Sequence, residues 1–231
     1  MRPVRRSLAL LALPVAACST MSGARPLARG EHAVGVTLGG ALLDFGGPMP
    51  LPNVVVEGAH GVAEVAGRPL DLRYGLDATG LPFGLLAGHV GSSWLLARPR
   101  GVLPRLALTD RVFFATNVLG LPYKTDPRLQ GWVADQLELT ASYDLGHQLV
   151  YASVSEYLDL QNPTLTFTPA LGAQLDPGDA GGFFVQPEVR WFALGRVRES
   201  RAVRFVSPSG ALGVSVGLGA RFGKTHARGA K

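Results

Sequence analysis

The stretch GALGVSVGLGARF, residues 210–222, decides the fold. In an extended chain Leu212, Val214, Val216, Leu218, Ala220 and Phe222 share one face, and Ala211, Gly213, Ser215, Gly217, Gly219 and Arg221 share the other. Such alternation marks a β-strand, whose successive side chains point to opposite faces. The length suffices to cross a bilayer, for which a tilted strand needs about 9–11 residues.

The same division runs through the chain. Leu137, Leu139, Ala141, Tyr143 and Leu145 oppose Gln136, Glu138, Thr140, Ser142 and Asp144. Leu165, Phe167, Leu171 and Leu175 oppose Thr164, Thr166, Thr168, Gly172 and Gln174. Leu70, Leu72, Tyr74 and Leu76 oppose Asp71, Arg73, Gly75 and Asp77, and Val185, Val189 and Trp191 oppose Gln186, Glu188 and Arg190. Ten spans read as strands: 33–43, 53–63, 69–77, 81–97, 102–116, 132–145, 147–159, 164–175, 182–194 and 210–222. The fourth is overlong and leaves room for a bulge at Gly88 or Gly91, or for a hairpin, so the pattern is compatible with about eight to twelve strands. Strands follow one another with no linker between them. The expectation is an all-β chain, a single antiparallel up-and-down β-barrel over residues 33–222.

Composition sets the orientation of the two faces. With 30 glycines and 17 prolines in 231 residues, a helical bundle is excluded. Charged residues make up 17% and hydrophobic ones 47%, which is too little charge to coat a soluble domain and too much hydrophobicity for disorder. The polar strand faces are rich in Gly, Ala, Ser and Thr rather than in Lys and Glu. Small residues suit the crowded lumen of a narrow barrel, so the large apolar side chains are expected to face hydrocarbon.

The formal charge of +5 belongs to the two ends. Without Arg2, Arg5 and Arg6 at one end, and Arg221, Lys224, Arg228 and Lys231 at the other, the stretch 18–220 carries a net −2. No basic body remains for a nucleic acid, and none is expected as a partner.

Residues 1–6 are positive and residues 7–17, SLALLALPVAA, form an apolar core too short for a spanning helix. This is an export signal. The stretch Val15-Ala16-Ala17-Cys18 resembles the bacterial lipobox, whose cysteine receives a diacylglycerol and becomes the mature N-terminus. The resemblance implies a lipoprotein signal peptide over 1–17, lipid attachment at Cys18, and palmitate or a similar acyl chain on it. The plainer alternative is a secretory signal followed by an incidental cysteine. Cys18 is the sole cysteine, so an internal disulfide is impossible and acylation gives the thiol a role. Ser19, where lipoproteins held at the inner membrane tend to carry Asp, implies the outer membrane of a Gram-negative envelope. Residues 18–32 are small, polar and breaker-rich, as in a flexible tether, and residues 223–231 form a basic tail.

A lipid at the periplasmic face places odd-numbered connections outside. The long breaks at 44–52, 117–131 and 195–209 are then external, and the tight turn Asp144-Leu145-Gly146-His147 is internal, as membrane barrels have it. The last strand, ending in Arg221-Phe222, resembles the terminal strand of outer-membrane proteins, although nine residues follow it where that pattern usually stops at the aromatic. In the last external loop, Arg196, Arg198, Arg201 and Arg204 surround a single acid, Glu199. Guanidinium forks suit the phosphates of lipopolysaccharide. The alternative is a solvated basic loop with no particular partner.

No catalytic, metal or cofactor set stands out. His32, His60, His89, His147 and His226 lack the spacing of a zinc site. The glycines of 213–219 belong to a strand, without the Lys-Ser/Thr ending of a phosphate loop. Arg111, Glu138, Glu188 and Arg190 point inward on their strands, and Glu188 and Arg190, two apart, share a face. Unpaired charge in a narrow lumen is costly, so a lumenal network is expected. The function expected is that of an outer-membrane, lipid-anchored barrel with a structural, interaction or minor pore role. Two alternatives are a periplasmic lipoprotein barrel binding an apolar ligand, and a membrane-embedded lipid hydrolase or acyltransferase using His89 with Ser92 or Ser93, or His147 with Ser153 or Ser155.

Overall fold

The computed structural model describes residues 22–44, 48–50, 53–118, 131–160, 165–177, 182–192, 194, 204–205 and 210–223. Ten long strands carry the fold: β1 (Glu31–Asp44), β3 (Asn53–Val65), β4 (Arg68–Asp77), β5 (Leu85–Ala97), β6 (Arg105–Asn117), β7 (Gly131–Leu145), β8 (Gln148–Asp159), β9 (Leu165–Leu175), β10 (Phe183–Phe192) and β12 (Ala211–Gly223). Two short pieces, β2 (Pro48–Pro50) and β11 (Arg204–Phe205), pair antiparallel with the far end of β1. Each long strand pairs antiparallel with the next, and β1 pairs with both β3 and β12. The sheet therefore closes on itself. Closure leaves no edge strand, which is the condition for a sheet to survive in hydrocarbon, where an unpaired backbone group costs several kcal/mol.

Local chemistry fixes the tight ends. Ala66 and Gly67 both have positive φ, 53° and 68°, giving the turn between β3 and β4 the geometry that matches strand twist. Gly146, at φ 67°, opens the two-residue turn between β7 and β8. These turns lie at the end of the barrel that also holds Glu31 and Gly223, which pair in register. The strand ends Asp44 and Asn53, Asn117 and Gly131, and Phe192 and Ala211 lie at the opposite rim. Span 81–97 is one strand rather than a hairpin: Leu81–Phe83 form a 3-10 turn, Gly84 takes the left-handed conformation, and β5 begins at Leu85. Its ladder with β4 runs unbroken through Gly88 and Gly91, and the irregularity falls instead between Leu95 and Ala97 against β6.

The barrel is inverted relative to a soluble protein. Leu72, Tyr74, Leu137, Leu139, Phe167, Leu171, Val189, Trp191, Val216 and Leu218 are all exposed on the outer wall. Asp71, Thr109, Arg111, Glu138, Thr140, Gln186, Glu188 and Arg190 are buried inside it. Three acids break the apolar exterior. Asp110, Asp135 and Glu156 project outward from β6, β7 and β8, where Asp110 and Glu156 both flank Leu137 in register.

Candidate functional site

The lumen is occupied by the chain's own N-terminal segment. Residues 22–30, expected as part of a flexible tether outside the barrel, enter it from the rim where β1 begins. Ser22, Gly23, Ala24 and Leu27 are buried there. The segment has too few apolar side chains to dock by burial alone, and its contacts are polar. Gly23 N–H donates to Glu138 Oε1 at 3.2 Å, and Leu27 N–H donates to Asp71 Oδ2 at 2.8 Å. The Ala24 carbonyl accepts from Ser142 Oγ at 3.1 Å. At the rim Gly30 N–H donates to the Gly61 carbonyl at 3.0 Å, while Ala28 N–H donates to Glu31 Oε2 at 2.8 Å. An irregular segment inside a barrel must pair its backbone groups with the wall, and this one does so through lumenal acids and hydroxyls.

The four charges singled out from the sequence converge on this segment. Arg111 on β6 lies 3.5 Å from Glu138 on the neighbouring β7. Arg190 on β10 reaches the same Glu138 from across the lumen, also at 3.5 Å, and donates through Nε to Glu188 beside it. Ser22 Oγ donates to Glu188 Oε2 at 2.6 Å and accepts from Arg190 Nη2 at 2.8 Å. Tyr151 from β8 donates to Glu188 Oε2 at 2.7 Å, and Gln186 donates to Tyr151 Oη at 2.9 Å. All four charged side chains are almost fully buried, so each charge depends on its partners. A second pair lies nearer the rim, where Arg73 grips Asp71 with both Nε and Nη2 at 3.0 and 3.1 Å.

Two glycines make room for the segment. A Cβ on Gly61 would fall 1.8 Å from the Ala28 carbonyl oxygen, and one on Gly23 would fall 2.3 Å from Thr109 Oγ1. Wall and segment therefore approach most closely where one of the two lacks a side chain.

The remaining sequence candidates are dispersed. Cys18, Arg196, Arg198 and Arg201 lie outside the described residues, and Arg204 is described only as a backbone partner of Asp44. His89 faces the lumen with its ring against Phe113 and its Nε2 3.6 Å from Glu57. Ser93, on the same lumenal face, accepts from Thr109 Oγ1, whereas Ser92 has the opposite orientation on the strand. His147 is exposed in its turn, while Ser153 and Ser155 are buried in the lumen. Neither histidine is joined to its candidate serine. The fold instead unites His32 and His60, partners in the β1–β3 ladder with Nδ1 atoms 2.6 Å apart, and stacks Phe222 on His32. Their separation of 28 residues concealed that pair, which only strand register reveals. Among the described residues no group of three or more His, Cys, Asp or Glu is arranged to hold a metal ion.

No family model and no curated protein matches this chain. Among solved structures, Ail, the attachment invasion locus protein of Yersinia pestis, matches over 84% of this chain and 99% of its own, at 8% identity and a TM-score of 0.26.

Proposed function

We propose that the protein is an outer-membrane β-barrel, anchored by a lipid on Cys18 and sealed by its own N-terminal segment, with a structural or interaction role at the cell envelope. The inverted distribution of side chains carries this reading. In water, an outer wall of Leu, Val, Phe, Tyr and Trp around a charged interior would be strongly unfavourable; in a bilayer it is the stable arrangement. A barrel that binds an apolar ligand needs an apolar cavity, whereas in this lumen arginines, carboxylates, amides and hydroxyls stand beside Phe113, Phe184 and Phe192. The lumenal network and the segment docked on it argue against a permanently open pore. Asp110, Asp135 and Glu156 form an acidic cluster on the otherwise apolar wall, with Ser92 beside Asp110, and favour contact with a polar partner there, which supports an interaction role.

Electrophoresis with and without heating tests the reading. The folded protein, extracted by detergent but not by high salt, should migrate faster before boiling than after it. Release by salt alone would overturn both insertion and anchoring.

A further inference from the structure

Between the N-terminal segment and the wall lies a cavity of about 50 Å³, close to the rim that holds both strand termini. Its lining includes Arg25 from the segment and Arg73, Arg111 and Arg221 from β4, β6 and β12. Three of these have carboxylate partners: Asp71 on Arg73, Glu138 near Arg111, and Asp176 at 4.0 Å from Arg221. None of those three acids lines the cavity, whereas Gln174, which accepts from Arg221 Nη2, and Phe184, over which Arg221 lies, both do. The one acid in the lining, Glu57, accepts from Thr37 Oγ1 at 3.0 Å and lies 3.6 Å from His89. Arg25 is half-buried and makes no hydrogen bond or ion pair among the described residues. Arg221 lies within electrostatic range of both Arg25 and Arg73.

With Asp71, Glu138 and Asp176 on three of these arginines and Glu57 facing Arg73 and Arg111, the charge left without an ion pair is that of half-buried Arg25, which an anion seated beside it offsets. A water molecule needs roughly 10–15 Å³ of such space, so this cavity takes a group of several heavy atoms. Guanidinium groups match tetrahedral oxyanions best, because their planar forks donate paired hydrogen bonds. We propose that the cavity binds a small inorganic oxyanion, phosphate or sulfate, held by Arg25 of the segment and by Arg73 and Arg221 of the wall. Bound there, the anion bridges the segment to the barrel and makes the seal dependent on its concentration. The proposal rests on the lumenal seal and deepens it. It does not depend on where the barrel resides.

The test uses the full-length protein folded in lipid-free detergent, with unfolding followed by heat-modifiability. Phosphate or sulfate, titrated against chloride at equal ionic strength, should raise the unfolding midpoint by a few degrees in a saturable way, as expected of a ligand that binds only the folded state. Arg25→Gln should abolish the shift, read for each protein against its own midpoint in chloride. Arg221→Gln should abolish it as well. An equal midpoint in all three salts, or a full shift retained in both variants, overturns the proposal. Heat-modifiability of the wild type in chloride reports on the barrel alone, so failure of the barrel reading would be seen separately.

Discussion

Ser22 and Glu188 stand 166 residues apart in the chain and 2.6 Å apart in the lumen, the serine hydroxyl donating to the carboxylate. This hydrogen bond, with that from Arg190 Nη2 to the same hydroxyl, ties the segment to the lumenal wall at Ser22. Hydrogen bonds to charged groups are worth about 1.5–3 kcal/mol. Ser22→Ala should therefore loosen the segment roughly tenfold or more without unfolding the barrel. Limited proteolysis should cut the variant between residues 22 and 30 faster than the wild type, at an unchanged barrel unfolding midpoint.

Sealing has an electrical consequence. In planar bilayers the wild-type protein should conduct rarely or not at all, and deletion of residues 22–28 should produce steady conductance. A wild-type conductance that disappears in Glu188→Gln would instead identify Glu188 as a pore-lining charge.

Gly61 tests the close approach at the rim. With a methyl group 1.8 Å from the Ala28 carbonyl oxygen, Gly61→Ala should displace the segment while keeping the β3–β4 ladder, in which Gly61 pairs with Asp71. The expected signature is exposure of residues 22–30 to protease together with retained heat-modifiability.

The outer wall should respond to charge by depth. Val216→Arg places a guanidinium near the middle of β12, facing outward. At a bilayer midplane this costs about 2–4 kcal/mol, falling toward zero near the interfaces. Urea titration of the protein folded into vesicles should show that loss for Val216→Arg and a smaller one for Phe222→Arg, which lies at the rim.

Two further predictions concern Cys18, Arg196, Arg198 and Arg201, which lie outside the described part of the chain, together with Arg204 in β11. Cys18→Ser should block incorporation of labelled glycerol and palmitate. Replacing Arg196, Arg198, Arg201 and Arg204 with Gln should lower retention on immobilised lipopolysaccharide at moderate salt while leaving heat-modifiability intact.

Strand positions and their two faces were legible in the sequence because alternation is a local property. Residues 210–222 display it without reference to any other part of the chain, and β12 buries Ala211 and Gly213 while exposing Val214, Val216 and Leu218 as the pattern requires. Composition determined which face turns inward, since small and polar side chains fill a narrow lumen and large apolar ones do not. What crosses the lumen was not legible. That Arg190 on β10 meets Glu138 on β7, or that His32 meets His60, follows from register and from the circumference of the closed barrel, which are set jointly by all ten strands. The docking of residues 22–30 was hidden for a related reason. Their small, polar composition is equally that of a tether in water. Only a closed lumen, lined with acids and hydroxyls that need partners, gives such a segment's backbone a lower free energy inside the barrel than outside it.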